Sequence, residues 1–383
     1  MAVQAPGRWD AALIGAGLSS LSLAWRLAED PGTSILLIDG RRGDEDRTFA
    51  WWSRTAGPFD ALAWRTWETL DVRVGGADIP LALGSWRYRA LRARDLRRVV
   101  LARLAQRPNA RVLRGRAEAV EDGPDGVTVV VDGQAHRARF AFDSRFDLGT
   151  PPPTPGRVSL VQSFQGWWVE ADDPAFDPAR ATLMDFDVPQ GQGVGFTYLL
   201  PETPTRALAM AVRMGPDVDP PPLAPWLDAR VGPGRWRVTA TEGGATPMTD
   251  APFRRRLCDH VLSIGITGGR LRASTGYAFG RIQRDSDRIA DSLARRGHPF
   301  DLPADPWRVR MADAVFLRLL ADQPQRMGPV FARLFTEVPT DVVLRFLDEG
   351  GGWMDLLRVM WAVPNRPFLA AAARVVRARL LSR

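Results

Sequence analysis

The sequence predicts a mixed α/β (α+β) fold, and three patterns in its 383 residues support this prediction. An apolar strand, an apolar-periodic helix and a second apolar strand follow one another at the start of the chain. Short strands dominate its middle, and helical periodicity dominates residues 301–383. With 45% hydrophobic residues, the chain can bury the core of one large domain or of two interlocked ones.

Residues 10–39 form the predicted β–α–β unit. The letters DAALIGAG predict a buried strand, LSSLSLAWRLAED a helix and PGTSILLIDG a second strand. Further on, RARDLRRVVLARLAQRP predicts an amphipathic helix, and short strands follow it. The letters GTPPPTPG then predict a rigid connection, which places a boundary near residue 150.

A glycine-rich turn joins the first strand to the first helix. The letters GAGLSS give Gly15, Gly17 and Ser20 the spacing of a dinucleotide-binding turn, where free N–H groups at a helix start hold a pyrophosphate. Asp39 ends the second strand, where an acid accepts hydrogen bonds from a ribose hydroxyl. Because this unit stands at the N-terminus and sheet elements return near residue 260, the pattern favours FAD over NAD.

Residues 263–286 predict a second nucleotide-contacting segment. The letters SIGITGGRLRASTGYAFGRIQRDS predict a strand that ends in a glycine-rich turn, after which Thr275 and Gly276 open a helix. Backbone N–H groups of this turn, including those of Gly268 and Gly269, are expected to hold the flavin end of the cofactor or its phosphates. The fold class is therefore an FAD-binding Rossmann-like domain of the glutathione-reductase/monooxygenase type.

The remaining strands and helices complete this prediction. Strands are predicted in SLVQSFQGWWVEA, RATLMDFDV, GVGFTYLLP and RALAMAVRM, which indicates an antiparallel sheet that binds substrate. Four ranges follow: 1–150 for the first half of the FAD-binding part, 151–250 for a mainly β substrate part, 251–300 for the rest of the FAD-binding part, and 301–383 for a helical C-terminal region.

The chain resembles the flavin-dependent lycopene cyclases of bacteria. The similar segments occur in the family's order over most of residues 10–350: GAGLSSLSLAWRL, DRTFAWW, FDSR, SFQGWWVE, LMDFDVPQGQGVGFTYLLP, TEGGATPM and GGRLRASTGYAFGRIQ. Ordinary flavin monooxygenases have Asp-Gly where this chain has Asp143-Ser144-Arg145, and Gly-Asp where it has GITGG. The resemblance is therefore to the cyclases rather than to flavoproteins at large.

This resemblance implies an FAD enzyme that converts the ψ ends of lycopene into β-rings. A proton adds to an end double bond, a neighbouring alkene attacks the cation, and a proton is lost, so that no net oxidation occurs. Reduced flavin would stabilise the cation, and NAD(P)H would serve as the possible reductant. The resemblance also implies that Arg47, in DRTFAWW, contacts the cofactor.

Such chemistry needs an apolar cavity for a polyene or polyprenyl substrate, an electron-rich wall and a protonated acid. Trp51, Trp52, Trp167 and Trp168 lie in family-like motifs and are expected to face the cavity and the cation.

The expected acid is missing from its usual strand. In the family, the strand that matches TRALAMAVRM carries a glutamate, and alignment places Met210 at that position, facing the substrate cavity. A methionine keeps the volume and the apolarity but cannot give a proton. Glu242 in TEGGATPM and Asp185 in LMDFD also match acids of the family, and we expect one of them, Glu242 first, to be the catalytic acid.

Three functions stay open at this stage. The first is a lycopene-type cyclase that uses Glu242 or Asp185. The second is a cyclase-like FAD enzyme with a changed redox or isomerising reaction on another polyene or terpenoid. The third is a catalytically impaired membrane-surface partner.

Charge and cysteine content narrow the partners. The net charge is +7 and every cationic residue is arginine, but the charges are scattered, so no nucleic-acid partner is expected. One cysteine, Cys258, predicts no disulfide, and the separated His136, His260 and His298 predict no metal site.

The same observations suggest where the chain resides. A strand begins almost at once and no run of 18 apolar residues exists, so we expect a cytoplasmic protein with no signal peptide and no membrane span. The letters RPFLAAAARVVRARLLSR near the C-terminus combine a basic face with an apolar one. This helix either packs on the domain or rests on the inner face of the membrane, and the sequence leaves both open.

Overall fold

The computed structural model describes residues 7–40, 46–148, 151–216, 219–348 and 351–381. Its strands are β1 (Trp9–Ile14), β2 (Ile35–Asp39), β3 (Thr48–Ser53), β4 (Arg65–Trp67), β5 (Thr69–Val74), β6 (Ala77–Ala82), β7 (Arg87–Arg92), β8 (Ala110–Arg114), β9 (Ala117–Gly123), β10 (Gly126–Val131), β11 (Gln134–Asp143), β12 (Ser159–Ala171), β13 (Arg180–Asp185), β14 (Val194–Pro201), β15 (Arg206–Gly215), β16 (Trp236–Thr249) and β17 (Val261–Ser263). Its α-helices are α1 (Leu18–Leu27), α2 (Ala93–Ala105), α3 (Leu223–Val231), α4 (Phe279–Arg296), α5 (Trp307–Asp322), α6 (Met327–Glu337), α7 (Thr340–Leu347), α8 (Trp353–Ala362) and α9 (Asn365–Leu381).

The first sheet has the strand order β8-β2-β1-β11-β10-β9. Strands β8, β2, β1 and β11 are parallel to one another. Strand β10 pairs antiparallel with the first half of β11, and β17 pairs in parallel with the end of β11. Leu13 and Leu37 face a core shared with α1, whereas Ala12 and Leu36 face the opposite core. Burial on both faces explains why β1 and β2 have almost unbroken apolar sequences.

The second sheet has the strand order β16-β12-β15-β14-β13-β5-β6. Its neighbours are antiparallel except β13 and β5, which are parallel. Because β5 and β6 precede residue 150, this sheet takes strands from both sides of the expected boundary, which itself lies partly outside the described residues. A third, three-stranded sheet has the order β3-β7-β4.

Helices cover both faces of the second sheet. Strand β15 alternates strictly: Leu208 and Val212 pack toward the core that includes the C-terminal helices, and Ala207, Ala209 and Ala211 pack against α3. The predicted strands TRALAMAVRM and GFTYLLP are thus paired neighbours, β15 and β14, in the middle of this sheet. No helix in the described ranges combines the length and the apolarity needed to cross a membrane.

One helix begins later than predicted. Thr275 and Gly276 do not open α4, which starts at Phe279. Gly276 has a φ of +74°, a left-handed conformation that cannot belong to a right-handed helix. The Gly276 N–H donates to the carbonyl oxygen of Arg272, and the Arg272 N–H to that of Tyr277, so these residues form a turn before the helix.

Candidate cofactor and active site

A cavity of about 1300 Å³ lies at the carboxyl ends of β1, β2 and β11. Five residues predicted to bind the cofactor line it: Gly15, Gly17, Asp39, Arg47 and Gly276. The carboxyl edge of an open parallel sheet is the general ligand-binding position of such folds. The cavity also reaches β3 and the turn before α4, so it extends from the first sheet toward the second.

The start of α1 forms one wall of this cavity. Gly15 has a φ of +90°, and Gly17 caps the helix with extended backbone and no side-chain cap, so the first N–H groups of α1 have no side-chain acceptor there. A Cβ at Gly15 would lie 2.7 Å from Oγ of Ser144. This wall therefore offers backbone donors to an anion and cannot accept a larger residue at Gly15.

Ser20 does not line the cavity. It is fully buried, and its hydroxyl donates to Oγ of Ser144 at 3.0 Å, while the Ser144 hydroxyl donates to the carbonyl oxygen of Ile14 at 2.7 Å. Ser20 thus fastens α1 to the end of β11, which corrects the expectation that it contacts the cofactor.

Gly268, Gly269 and Thr275 also lie outside the cavity lining. A Cβ at Gly268 would lie 2.8 Å from Cα of Ile264, and one at Gly269 would lie 3.2 Å from Cβ of Phe253. These glycines allow close packing behind the turn. The hydroxyl of Thr275 accepts a long hydrogen bond from the Tyr277 N–H, at 3.4 Å, within the same turn.

Arginines supply the positive charge of the cavity. Arg114, Arg116 and Arg145 line it together with Arg47. Arg145 binds the Asp143 carboxylate through two of its nitrogens, a bond that raises the pKa of this guanidinium. Arg114 and Arg116 were missed by the sequence analysis, although β8 runs parallel to β2, and its carboxyl end therefore has to reach the same edge as Asp39.

These residues fit a dinucleotide such as FAD. A helix start without a side-chain cap and several arginines match a pyrophosphate, and Asp39 at the end of β2 matches a ribose hydroxyl. Asp39 is buried and forms an ion pair with Arg97, which holds its carboxylate at the cavity edge.

The second sheet brings Glu242 and Met210 into one row. The register places Glu242 opposite Gly166, Gly166 opposite Met210, and Met210 opposite Tyr198, on four adjacent strands. Directly paired residues point to the same face of a sheet. The row lies next to the one that contains Phe164, a residue of the cavity wall, so the acid stands just beyond the cofactor cavity.

Glu242 is a mostly buried acid, and only one of its oxygens accepts a hydrogen bond within the described ranges. Its Oε2 accepts a hydrogen bond of 2.6 Å from the Thr48 N–H, and Thr48 lines the cavity. Its Oε1 is buried and has no hydrogen-bond partner within the described ranges. Burial raises the pKa of Glu242, against the opposing effects of Thr48 and of Arg92. A carboxyl group in this state favours its protonated form, and one of its oxygens remains unpaired in the described part of the chain.

Asp185 is placed differently, and the structure argues against the expected acid role. Its Oδ2 accepts hydrogen bonds from Nε1 of Trp226 at 2.9 Å and from Nη2 of Arg230 at 2.6 Å, and its Oδ1 accepts one from the Asp187 N–H. Trp226 and Arg230 belong to α3, which covers the face opposite to Met210. Asp185 therefore ties α3 to β13.

The four tryptophans do not share one cavity. Trp167 faces α3 and stacks on Trp236, and Trp51 faces the first core and stacks on Phe279. Trp168 lies on the same face of the sheet as Glu242, but it is packed in the core, with only 1% of its surface exposed. The guanidinium groups of Arg92 and Arg206 lie over its ring.

Trp52 approaches the row of Glu242 and Met210 from its Tyr198 end. It contacts an aromatic cluster made of the three tyrosines of the chain: Tyr88, Tyr198 and Tyr277. The hydroxyl groups of Tyr198 and Tyr277 are 3.3 Å apart. Burial raises the pKa of Tyr198 to about 12 and raises the pKa of the other two as well, so all three remain neutral phenols. Tyr277 also lines the cofactor cavity, so the tyrosine cluster extends to the wall of this cavity.

The sequence analysis missed this tyrosine cluster because its members come from β7, β14 and the turn before α4. Elsewhere, within the described ranges, no group of three or more His, Cys, Asp or Glu side chains is arranged to hold a metal ion.

Comparison with known proteins agrees with this geometry. Solved structures show the fold: a flavoprotein/dehydrogenase from Cytophaga hutchinsonii has a TM-score of 0.63 at 11% identity, with 97% of this chain and 100% of that chain covered. A geranylgeranyl bacteriochlorophyll reductase-like protein from Thermoplasma acidophilum has a TM-score of 0.58 at 10% identity, with 96% and 99% covered. The fold is thus that of FAD-binding Rossmann-like flavoproteins.

Sequence comparison shows the family. A lycopene beta-cyclase from Paracoccus sp. (strain N81106 / MBIC 01143) is 28% identical over 410 residues, which cover 97% of this chain and 98% of that protein. The family described as lycopene cyclase protein matches residues 10–373. The chain therefore belongs to the lycopene cyclase family.

Proposed function

We propose that this protein is an FAD-dependent cyclase that closes a ring at the end of a linear carotenoid or related polyprenyl chain, with Glu242 as the proton donor. The observation that carries this proposal is the state of Glu242: mostly buried, with a raised pKa, with one oxygen held by the Thr48 N–H and the other without a partner in the described part of the chain. A general acid must keep its proton near neutral pH and must present it to the substrate.

Gly166 allows Glu242 and Met210 to approach each other. This residue stands between Glu242 and Met210, and a Cβ there would lie 2.9 Å from Cγ of Glu242 and 3.2 Å from Cε of Met210. The glycine keeps these two side chains close together on one face of the sheet. We propose that an apolar end group lies against this face, which is mostly apolar, with the second sheet and the C-terminal helices as the substrate-binding part.

The proposed reaction involves no net oxidation or reduction of the substrate. Glu242 gives its proton to a terminal carbon–carbon double bond, and a tertiary cation forms. A neighbouring alkene attacks the cation, which closes a six-membered ring, and a proton lost next to the new cation forms the ring double bond. One proton enters and one leaves, so the product is an isomer of the substrate.

Bound FAD in its reduced form would supply negative charge that stabilises the cation, with NAD(P)H as the proposed source of the electrons. The chain itself would hold the cofactor with the α1 N-terminus and the cavity arginines, and would exclude water from Glu242. The neutral phenols of Tyr198 and Tyr277, with the ring of Trp52, offer aromatic surfaces on the far side of Met210.

Met210 favours a second candidate function. It occupies the position at which the resemblance implies a glutamate, and it removes one acid from the row. A cyclase-like FAD enzyme with a redox or isomerising reaction on another polyene or terpenoid would need no acid at that position. A catalytically impaired membrane-surface partner is the remaining alternative.

The test is an assay of purified, FAD-loaded protein. The flavin is reduced without oxygen, lycopene is supplied in liposomes, and the products are separated by chromatography. We expect cyclic carotenoid from the native chain and a loss of turnover of about 100-fold or more in Glu242→Gln. Glu170→Gln is the matched control, because Glu170 pairs with Arg237 on neighbouring strands and takes no part in the proposed site.

Two results would contradict the proposal. Full turnover by Glu242→Gln would exclude Glu242 as the acid. No cyclic product from the native chain, together with product from Met210→Glu, would show that the native protein has lost this activity and would favour the second candidate function.

A further inference from the structure

Helix α8 has two apolar faces, and only one of them is buried. Val359 and Ala362 pack into the protein. Trp353, Met354, Leu357, Met360 and Trp361 recur at helical spacing on the solvent side, where Met354 is 65% and Trp361 is 83% exposed. Soluble proteins rarely leave a continuous apolar stripe in water, and a second apolar stripe on a surface helix indicates a binding face.

A neighbouring helix extends this stripe. Trp307, the first residue of α5, is 61% exposed and packs edge to face against Trp353, with 5.6 Å between ring centroids. We call Trp307, Trp353, Met354, Leu357, Met360 and Trp361 the α8 patch. Three of its six side chains are indoles, which have an apolar body and an N–H donor and favour the boundary between lipid tails and water.

The charge around the α8 patch is positive. Residues 353–366, which include α8 and the start of α9, contain two arginines and one acid, Asp355. Asp355 is already bound by Arg345 through two hydrogen bonds of 3.0 and 2.9 Å. Arg358 lies within α8 and Arg366 at the start of α9, and both are exposed. An apolar stripe with basic residues beside it favours an anionic surface.

We propose that the α8 patch is the membrane-docking surface of this protein and that its partner is an anionic phospholipid bilayer. The indole rings and the methionine and leucine side chains would enter the boundary of the acyl chains, while Arg358 and Arg366 contact the headgroups. This inference deepens the proposed function, because it names the surface from which an apolar polyene would be taken, and it rests on that function for this purpose only.

A second copy of the chain is a poorer partner for this face. A two-fold interface brings the same surface of both copies together, and Arg358 and Arg366 of one copy would then approach those of the other. Anionic headgroups neutralise these charges instead.

Helix α9 is a weaker candidate for the same role. It packs on α5 through Ala371 and Val375, and its Arg374 and Arg379 are paired with Asp322 and Asp250. Part of the basic face of this C-terminal segment, for which the sequence left packing on the domain and membrane contact both open, is therefore used within the protein. Residues 382–383 lie outside the described ranges.

The experiment measures flotation of the FAD-loaded full chain with two kinds of vesicle: phosphatidylcholine alone, and phosphatidylcholine with phosphatidylglycerol. The α8 variant is Leu357→Asp with Trp361→Asp, and the matched α9 variant is Leu369→Asp with Leu380→Asp; all four side chains are exposed in the native protein. We expect the native chain to bind the anionic vesicles preferentially and the α8 variant to bind them about 10- to 100-fold more weakly. Circular dichroism and flavin content check that each variant folds.

Several outcomes would overturn the proposal: unchanged binding by a folded α8 variant, equal binding of the native chain to both vesicles, or a dimer that the α8 variant abolishes while the native chain binds no vesicle. Flotation needs no turnover, so a failure of the proposed cyclisation leaves this test intact. Conversely, an α8 variant that cyclises substrate in detergent micelles but not in vesicles would support the docking surface independently.

Discussion

Glu242 and Met210 stand on either side of Gly166, on two strands that do not touch each other, and their side chains meet over the space that this glycine leaves free. The proposed acid of this chain is thus two strands away from the position at which its family resemblance implies one. Both side chains lie on the same face of the sheet, and in the proposed reaction the proton comes from Glu242, because Met210 cannot give one. The predictions below test parts of this arrangement.

The stability of the protein should depend on pH through Glu242. Burial raises the pKa of Glu242 above its usual value of 4.5, so the folded chain holds this proton more tightly than the unfolded chain. The resulting stability is complete below the unfolded pKa and is lost as the pH rises through the raised folded pKa. We therefore expect the melting temperature of the native chain, relative to Glu242→Gln, to fall as the pH rises from about 4 to about 8.

Glu170→Gln controls for the loss of one carboxylate in this experiment, since Glu170 is paired with Arg237. Cyclisation should also fall as the pH rises through the raised pKa of Glu242, because a general acid acts in its protonated form. A constant difference in melting temperature across the pH range would contradict a raised pKa for Glu242.

Gly276 should tolerate no side chain. Its φ is +74°, and a Cβ there would lie 2.7 Å from Cδ of Gln162, a residue of the second sheet. We expect Gly276→Ala to lower the free energy of unfolding by at least the roughly 1–2 kcal/mol that a left-handed alanine costs, with a further loss where the Gln162 side chain has to move aside. It should also weaken flavin binding, since Gly276 lines the cavity. Denaturant unfolding and flavin titration measure the two effects.

Gly133→Ala is the matched control for this prediction. Gly133 has a φ of +75°, but a Cβ there would meet nothing within 4 Å. The difference between the two variants therefore isolates the clash with Gln162. Equal losses of stability, with flavin binding unchanged in both, would show that the contact between Gly276 and Gln162 has no role in the site.

Local sequence patterns predicted together three residues that line the large cavity of this fold. Gly15, Gly17 and Asp39 come from one β–α–β unit, in which each residue's position depends on its immediate neighbours. Alternation along a strand also carried a signal that the sequence analysis did not use: Trp167 and Trp168 are consecutive in β12 and so must face opposite sides of the sheet. The four tryptophans were therefore wrongly grouped as one cavity wall.

Other features depend on contacts between distant parts of the chain. The partners of Asp185, namely Trp226 and Arg230, follow it by 41 and 45 positions and reach it only because α3 packs on the sheet. The row that joins Glu242, Gly166 and Met210 depends on the register of three strands. No local pattern fixes such a register when the connections between strands are long.

The aromatic rings near Met210 should matter more than the tyrosine hydroxyls. In the proposed reaction the phenols of Tyr198 and Tyr277 stay neutral and act through their ring faces, so Tyr→Phe keeps the interaction and Tyr→Leu removes it. We expect Tyr277→Phe to retain turnover within a few-fold and Tyr277→Leu to lose about 3- to 30-fold in kcat, which corresponds to a cation–π contribution of about 0.5–2 kcal/mol. The same two substitutions at Tyr198 provide an independent repeat. If the Phe variants lost as much kcat as the Leu variants, the role would belong to the two hydroxyl groups instead of the rings.

Gly166 should be the most sensitive position of the row. A Cβ there would lie 2.9 Å from Cγ of Glu242, 3.2 Å from Cε of Met210 and 3.3 Å from Cδ1 of Leu208. Gly166→Ala would push the acid away from the space in front of Met210, so we expect kcat to fall by about tenfold or more, with an overpacking cost of about 1–3 kcal/mol in the free energy of unfolding. Anaerobic turnover and denaturant unfolding measure these changes.

Gly328→Ala is the control for Gly166→Ala, because Gly328 lies in α6 and a Cβ there would meet nothing within 4 Å. Alanine favours a helix over glycine by up to about 1 kcal/mol, so this variant should be slightly more stable and fully active. If Gly166→Ala kept full turnover, the added methyl group would have left the acid in place, and the narrow space between Glu242 and Met210 could not be where the end group reacts. If turnover fell while flavin binding and the fold stayed intact, the defect would lie at the acid itself, since Gly166 is not part of the cofactor cavity.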